Sequence, residues 1–190
     1  MTQSLTVGLA QIAPVFLDRS ATLVKVVDWI ERAAREGCGL VAFGEVIVPG
    51  YPVWLGRTGG AVFNDEDQKT IHRHYLEQAV SIEDGHLDAV CAAARAGGIA
   101  VVLGVAERPR DRGSHSIYCA RVFIDADGNV ASVHRKLMPT YDERLAWAPG
   151  DGHGLVTHEV PPFTVGALNC WENWMPLTRT ALYGQGENLH

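Results

Sequence analysis

The chain has 190 residues, and its 22 acidic and 16 basic side chains give a net charge of −6, a balance that excludes the basic face needed by a nucleic-acid or anionic-membrane partner. Apolar residues at 47 % against 20 % charged exclude a disordered chain and suffice for one packed domain over residues 1–190. No apolar run reaches membrane-spanning length, the start MTQSLTVGLAQ lacks the regions of a leader peptide, and the widely spaced Cys38, Cys91, Cys119 and Cys170 form no CxxC pair, so a reduced, cytoplasmic protein is expected.

Taken in order, Leu5 to Gln11 (LTVGLAQ) alternates apolar with small or polar residues and predicts a strand. The run SATLVKVVDWIERAAREG puts Leu23, Val27, Ile30 and Ala34 on one helical face, with Ser20 as the expected N-cap and Gly37 as the stop. LVAFG (Leu40 to Gly44) reads as a short buried strand, with Glu45 just past its end and the loop VPGYPVW beyond. Asn64 is placed to cap a second helix through DEDQKTIHRHYLEQAV, and a third, LDAVCAAARAGG, stops at Gly97–Gly98. IAVVLGVAE and SIYCARVFID are expected strands, the second turning at Asp127–Gly128 into NVASVHRK. Leu137 to Gly152 has two prolines and no period, which predicts a long ordered loop of the kind that carries function. FTVGALNC is the last expected strand, ending at Cys170, and PLTRTALYGQG is a helix with Pro176 in its first turn. Helices alternating with hairpin-linked strands fit helices packed outside a sheet-on-sheet core.

Three strand ends carry groups with chemistry. Cys170, between a buried strand and a helix, would have its thiolate favoured by backbone N–H groups and the helix dipole, whereas Cys38, Cys91 and Cys119 read as buried apolar cysteines. Glu45 lies close behind a buried run, and Lys136 ends VASVHRK where a strand gives way to a loop: a carboxylate can take a thiol's proton, and a lysine can stabilise charge developing on a substrate. Taken singly, the two residues would more often be a strand-end salt bridge, and spacing alone does not bring them together in space. A GxSxG elbow, a phosphate loop and a GxGxxG fingerprint are absent, and His72-Arg73-His74 lacks metal-ligand spacing.

The segments FGEVIVPGYPVW, HRKLMPTYDERLAWAPGDG and NCWENWMPLTRTALYGQGE together resemble the three signature regions of the nitrilase branch of the carbon–nitrogen hydrolase superfamily, in order and at family-like separations. The resemblance implies an α/β fold, an α-β-β-α four-layer sandwich, in a chain lacking the family's C-terminal strands and tail. It implies a catalytic glutamate–lysine–cysteine triad at Glu45, Lys136 and Cys170, a second glutamate at Glu143, and a pocket shaped by Tyr51, Trp54, His134, Trp171, Glu172 and Trp174, with Trp171 at the oxyanion position. The sequence departs from the family at Gly44, commonly proline. The implied activity is hydrolysis of a small organic nitrile to a carboxylic acid and ammonia through a cysteine thioimidate and thioester, with no metal or organic cofactor, in a homo-oligomer. The nearest rivals are an amidase, an N-carbamoylase or a cyanide-converting enzyme on the same triad; a rival of another class is a catalytically silent remnant or interaction subunit.

Overall fold

A computed structural model of the chain describes residues 4–190. Its main sheet runs in the order β1 (Val7–Ala10), β2 (Leu40–Phe43), β3 (Ala100–Glu107), β4 (Tyr118–Ile124) and β5 (Val130–Arg135). The first three strands are parallel and the last two pair antiparallel. Parallel neighbours need long crossovers. The first is α1 (Arg19–Arg35); the second contains α2 (Trp54–Arg57), α3 (Glu66–Gln78) and α4 (Asp88–Gly97).

Every residue of β4 is buried, as required of a strand covered on both faces. On one face Val26 and Ile30 of α1 and Val90 and Ala94 of α4 pack against Val41, Val101, Leu103 and Val122. On the other, Leu40, Ala100 and Phe123 meet Val160 and Val165, which belong to a two-stranded antiparallel sheet of β6 (His158–Val160) and β7 (Phe163–Val165). Leu182, fully buried on α5 (Pro176–Tyr183), lies against Gly166 just beyond β7. The layers are therefore helix, sheet, sheet, helix.

Several boundaries differ from those expected. Asp18, not Ser20, caps α1, its carboxylate accepting from Ala21 N–H at 2.9 Å. Asp65, not Asn64, caps α3 through Gln68 N–H at 2.9 Å, while Asn64 sits in the left-handed region with φ 60°. The loop after Glu45 contains the single turn α2. The largest correction concerns FTVGALNC: only Phe163–Val165 is strand, and Cys170 opens a 3-10 turn, Cys170–Trp174, after four residues of irregular chain. Past β7 the Gly166 N–H bonds the Leu189 carbonyl, part of a single parallel bridge between Val165 and Leu189. The segment Leu137 to Gly152 is irregular apart from a 3-10 turn at Tyr141–Leu145.

Candidate active site

Glu45 is positioned by a close backbone approach. A Cβ on Gly104 would overlap the Gly44 carbonyl and the Val46 N–H, so only glycine lets β3 pass this near the turn after β2. Val46 holds φ 46° although it is β-branched and fully buried, a conformation that costs about 1–3 kcal/mol and persists only where surrounding packing imposes it. Two other non-glycine residues in the left-handed region lie at the same site: Tyr141 with φ 47° and Cys170 with φ 51°.

Lys136 follows β5, and its N–H bonds the Cys119 carbonyl at 2.8 Å, which extends the β4–β5 ladder by one step. Its side chain is fully buried and lies between two carboxylates, with Nζ 2.8 Å from Glu45 Oε1 and 2.8 Å from Glu143 Oε2. Burial alone would lower the lysine's pKa, but the hydrogen bonds to Glu143 and Glu45 and the charge of Glu45 outweigh it and raise that pKa above its ordinary value. The Trp147 ring adds a face 6.0 Å from Nζ. Glu143, only 3 % exposed, is itself tied down. Its Oε2 accepts from Thr140 N–H at 2.6 Å, and its Oε1 from Tyr51 Oη–H at 2.9 Å. Burial and that bond to Glu143 raise the Tyr51 phenol's pKa.

Cys170 differs from the expectation of a thiolate primed by a helix. It is exposed, and α5 begins only at Pro176. Desolvation and the neighbouring Glu45 charge raise its pKa, with Lys136 and the Trp171 N–H working in the other direction. Burial and Glu45 thus favour the protonated thiol, and attack through this sulfur would need a base. Glu45 and Cys170 line one cleft of about 240 Å³ with Ala42, Val102, Gly104 and Arg121. All side-chain hydrogen bonds of Glu45 go to Oε1, so Oε2 is available to receive a proton.

The 3-10 turn bearing Cys170 is latched from below by Glu172, 1 % exposed. That carboxylate accepts from Leu137 N–H at 2.7 Å, Asn169 N–H at 3.0 Å and His134 Nε2 at 3.0 Å. The turn carrying the thiol and the chain just past Lys136 are thus held by one side chain. Glu172 and His134 were expected to face the pocket; both are instead buried beneath it. Trp54 is also displaced from the pocket: it is 4 % exposed and packs 4.9 Å from the Tyr75 ring and 5.9 Å from His72. Trp171 and Trp174 are exposed and lie against each other at 4.8 Å. Sequence reasoning missed Cys119, Asn169, Trp147 and Tyr75. Cys119 lies 3.4 Å from Glu45 Oε1, and the Trp147 Nε1–H donates to Tyr75 Oη at 3.2 Å under the Lys136 side chain.

No helix among the described residues is long and apolar enough to cross a membrane. The family profile described as carbon–nitrogen hydrolase matches residues 6–190. The chain is 39 % identical over 186 residues to a protein named nitrilase 2 from an unknown prokaryotic organism, covering 97 % of this chain and 57 % of that protein. It is 38 % identical over 193 residues to an aliphatic nitrilase of Rhodococcus rhodochrous, covering 100 % and 50 %. The chain therefore spans about half the length of the curated relatives it matches. In fold it is similar to a solved amidase from Nesterenkonia sp. AN1, with a TM-score of 0.71 at 19 % identity, over 97 % of this chain and 65 % of that one. By its profile match and its relatives, the chain belongs to the carbon–nitrogen hydrolase family.

Proposed function

We propose that this chain carries the catalytic centre of a nitrilase, which converts a small organic nitrile to its carboxylic acid and ammonia. The observation that carries the reading is the buried Lys136 ammonium bridging Glu45 and Glu143 beside the cleft that holds the Cys170 thiol. A structural ion pair needs one carboxylate and no neighbouring nucleophile. A buried and a half-buried carboxylate on one buried lysine next to an exposed thiol give covalent catalysis a base, a cation and a nucleophile in one place. The relatives named nitrilases favour nitriles over amides as the substrate.

In this mechanism Glu45 Oε2 takes the Cys170 proton as sulfur attacks the nitrile carbon. One C–N π bond breaks as the S–C bond forms, and the developing nitrogen anion is stabilised by Lys136 and the Trp171 N–H until it takes the proton from Glu45. Water adds to the thioimidate, the C–N bond breaks and ammonia leaves. A second water, deprotonated by Glu45, hydrolyses the thioester and returns the thiol. Glu143 serves by holding Lys136, since its two oxygens are already bonded to Lys136, Thr140 and Tyr51. No metal or organic cofactor takes part in this scheme. The exposed Trp174 at the end of the 3-10 turn and Leu177 at the start of α5 are apolar surface that a homo-oligomer would cover, and the four unpaired cysteines fit a cytoplasmic setting.

Ammonia release from a panel of aromatic and aliphatic nitriles, with Cys170→Ala as control, tests the reading. Release that vanishes in the variant supports it. Turnover of amides but not nitriles moves the assignment to the amidase side of the family, and no turnover of either by a soluble, cooperatively folded chain supports the silent subunit.

A further inference from the structure

The mechanism above makes no use of Cys119, a thiol 1 % exposed on β4. Its surroundings are not those of a merely apolar side chain. Sγ lies 3.4 Å from Glu45 Oε1 and 3.7 Å from Asn169 Nδ2, and its backbone carbonyl accepts from Lys136 N–H. The direction of the bonds follows from the partners. An amide nitrogen only donates and a carboxylate only accepts, so sulfur accepts from Asn169 and the S–H donates to Glu45. Burial and the Glu45 charge raise this thiol's pKa well above its ordinary value, so the donor keeps its proton throughout the working pH range.

We propose that Cys119 is a positioning residue for the base: with Lys136 it pins Glu45 Oε1, turns Oε2 toward Cys170, and through Asn169 ties that alignment to the residue preceding the nucleophile. This rests on the reading of Glu45 as base and Cys170 as nucleophile. The other groups facing Glu45 are Lys136 at the end of β5, Glu143 in the 3-10 turn, Tyr51 in the loop after β2 and Cys170 itself, and none of them changes in the variants below. A donor to a carboxylate favours its charged form. A stronger donor therefore extends base function to lower pH, and loss of the donor does the reverse.

The test is the rate of Cys170 alkylation by iodoacetamide against pH, mapped by peptide mass in the wild type, Cys119→Ser and Cys119→Ala, with thermal melts to verify folding. The hydroxyl of Cys119→Ser, a better donor, shifts the acid limb down by about half a pH unit. Cys119→Ala shifts it up by a similar amount and slows alkylation at neutral pH about tenfold. A packing role instead predicts coincident limbs, with Cys119→Ser the less stable variant because it buries a hydroxyl. Coincident limbs, or a limb in Cys119→Ser that does not move down, overturn the proposal while leaving the base and nucleophile in place; the serine variant decides alone if the alanine variant does not fold. Preferential wild-type labelling of Cys38 or Cys91 would instead remove the nucleophile reading on which the proposal rests.

Discussion

The two halves of the site are built on opposite physical principles. The Glu45–Lys136–Glu143 half is sunk into the sheet end, and charge pairing among groups largely withdrawn from water fixes its geometry. The Cys170–Trp171 half lies at the surface on a strained 3-10 turn, and the thiol has no side-chain hydrogen-bond partner of its own among the described residues. The difference teaches where rigidity comes from. A desolvated ion cluster organises itself once its strands pair, whereas an exposed thiol must be held through the backbone beneath it, here by Glu172.

Removing the cation from the buried half should have the largest effect. Lys136→Met leaves Glu45 and Glu143 facing each other with no charge between them, and is expected to cost about 3–5 kcal/mol in urea unfolding, with Cys170 reactivity lost. Adding Glu143→Gln should restore part of the stability and none of the reactivity. Because the lysine's pKa is raised in the folded state, its contribution is fully present below its unfolded value of about 10.4 and is lost only as pH rises through the folded value. Neutral or mildly acidic conditions should therefore not unfasten this half by way of Lys136.

The latch comes next. Glu172→Ala orphans the buried Asn169 N–H and the part-buried Leu137 N–H and is expected to cost about 3 kcal/mol, with cysteine labelling losing its preference for Cys170. Burial opposes ionisation of Glu172, but His134 and the two backbone donors prevail and lower its pKa. Its contribution is thus present above about pH 4.3 and lost as pH falls through the folded value. Acid unfolding curves should show that component in the wild type and lack it in the variant.

Tyr51→Phe removes one neutral donor from Glu143 at a partly exposed position, and about 1 kcal/mol is expected by the same unfolding assay. Trp174→Ala, at a residue 76 % exposed, should change stability by less than about 0.5 kcal/mol. A loss of several kcal/mol there would show that the thiol half depends on its surface aromatics rather than on Glu172.

The buried half was the more legible in the sequence. Glu45 follows the apolar run LVAFG and Lys136 ends the alternating VASVHRK, and patterning of this kind is strong enough to locate a strand end. The neighbour of Lys136 was not legible. Counting back from the Asp127–Gly128 turn along the Ile124–Val130 pairing would set Lys136 opposite Tyr118, but the register shifts between Phe123 and Ile124 and brings Cys119 there instead. A bulge of this kind leaves no mark in apolar patterning. The Cys170 segment misled for a related reason: FTVGALNC has the composition of a strand, yet β7 is three residues long and the rest is irregular chain leading into the 3-10 turn. Trp54 and Glu172 were assigned to the pocket by the family resemblance. The structure buries both, one against α3 and the other under the turn it holds.

The central claim is that the exposed thiol of Cys170 forms the covalent bond and the buried half activates it. The most direct measurement is acid quench of the protein during exposure to an aromatic nitrile, followed by intact and peptide mass analysis. The account predicts an acyl or imidate adduct on Cys170, absent in Cys170→Ala and in Lys136→Met. Ammonia release without such an adduct in the quenched wild type, or an adduct on Cys38, Cys91 or Cys119, would contradict it.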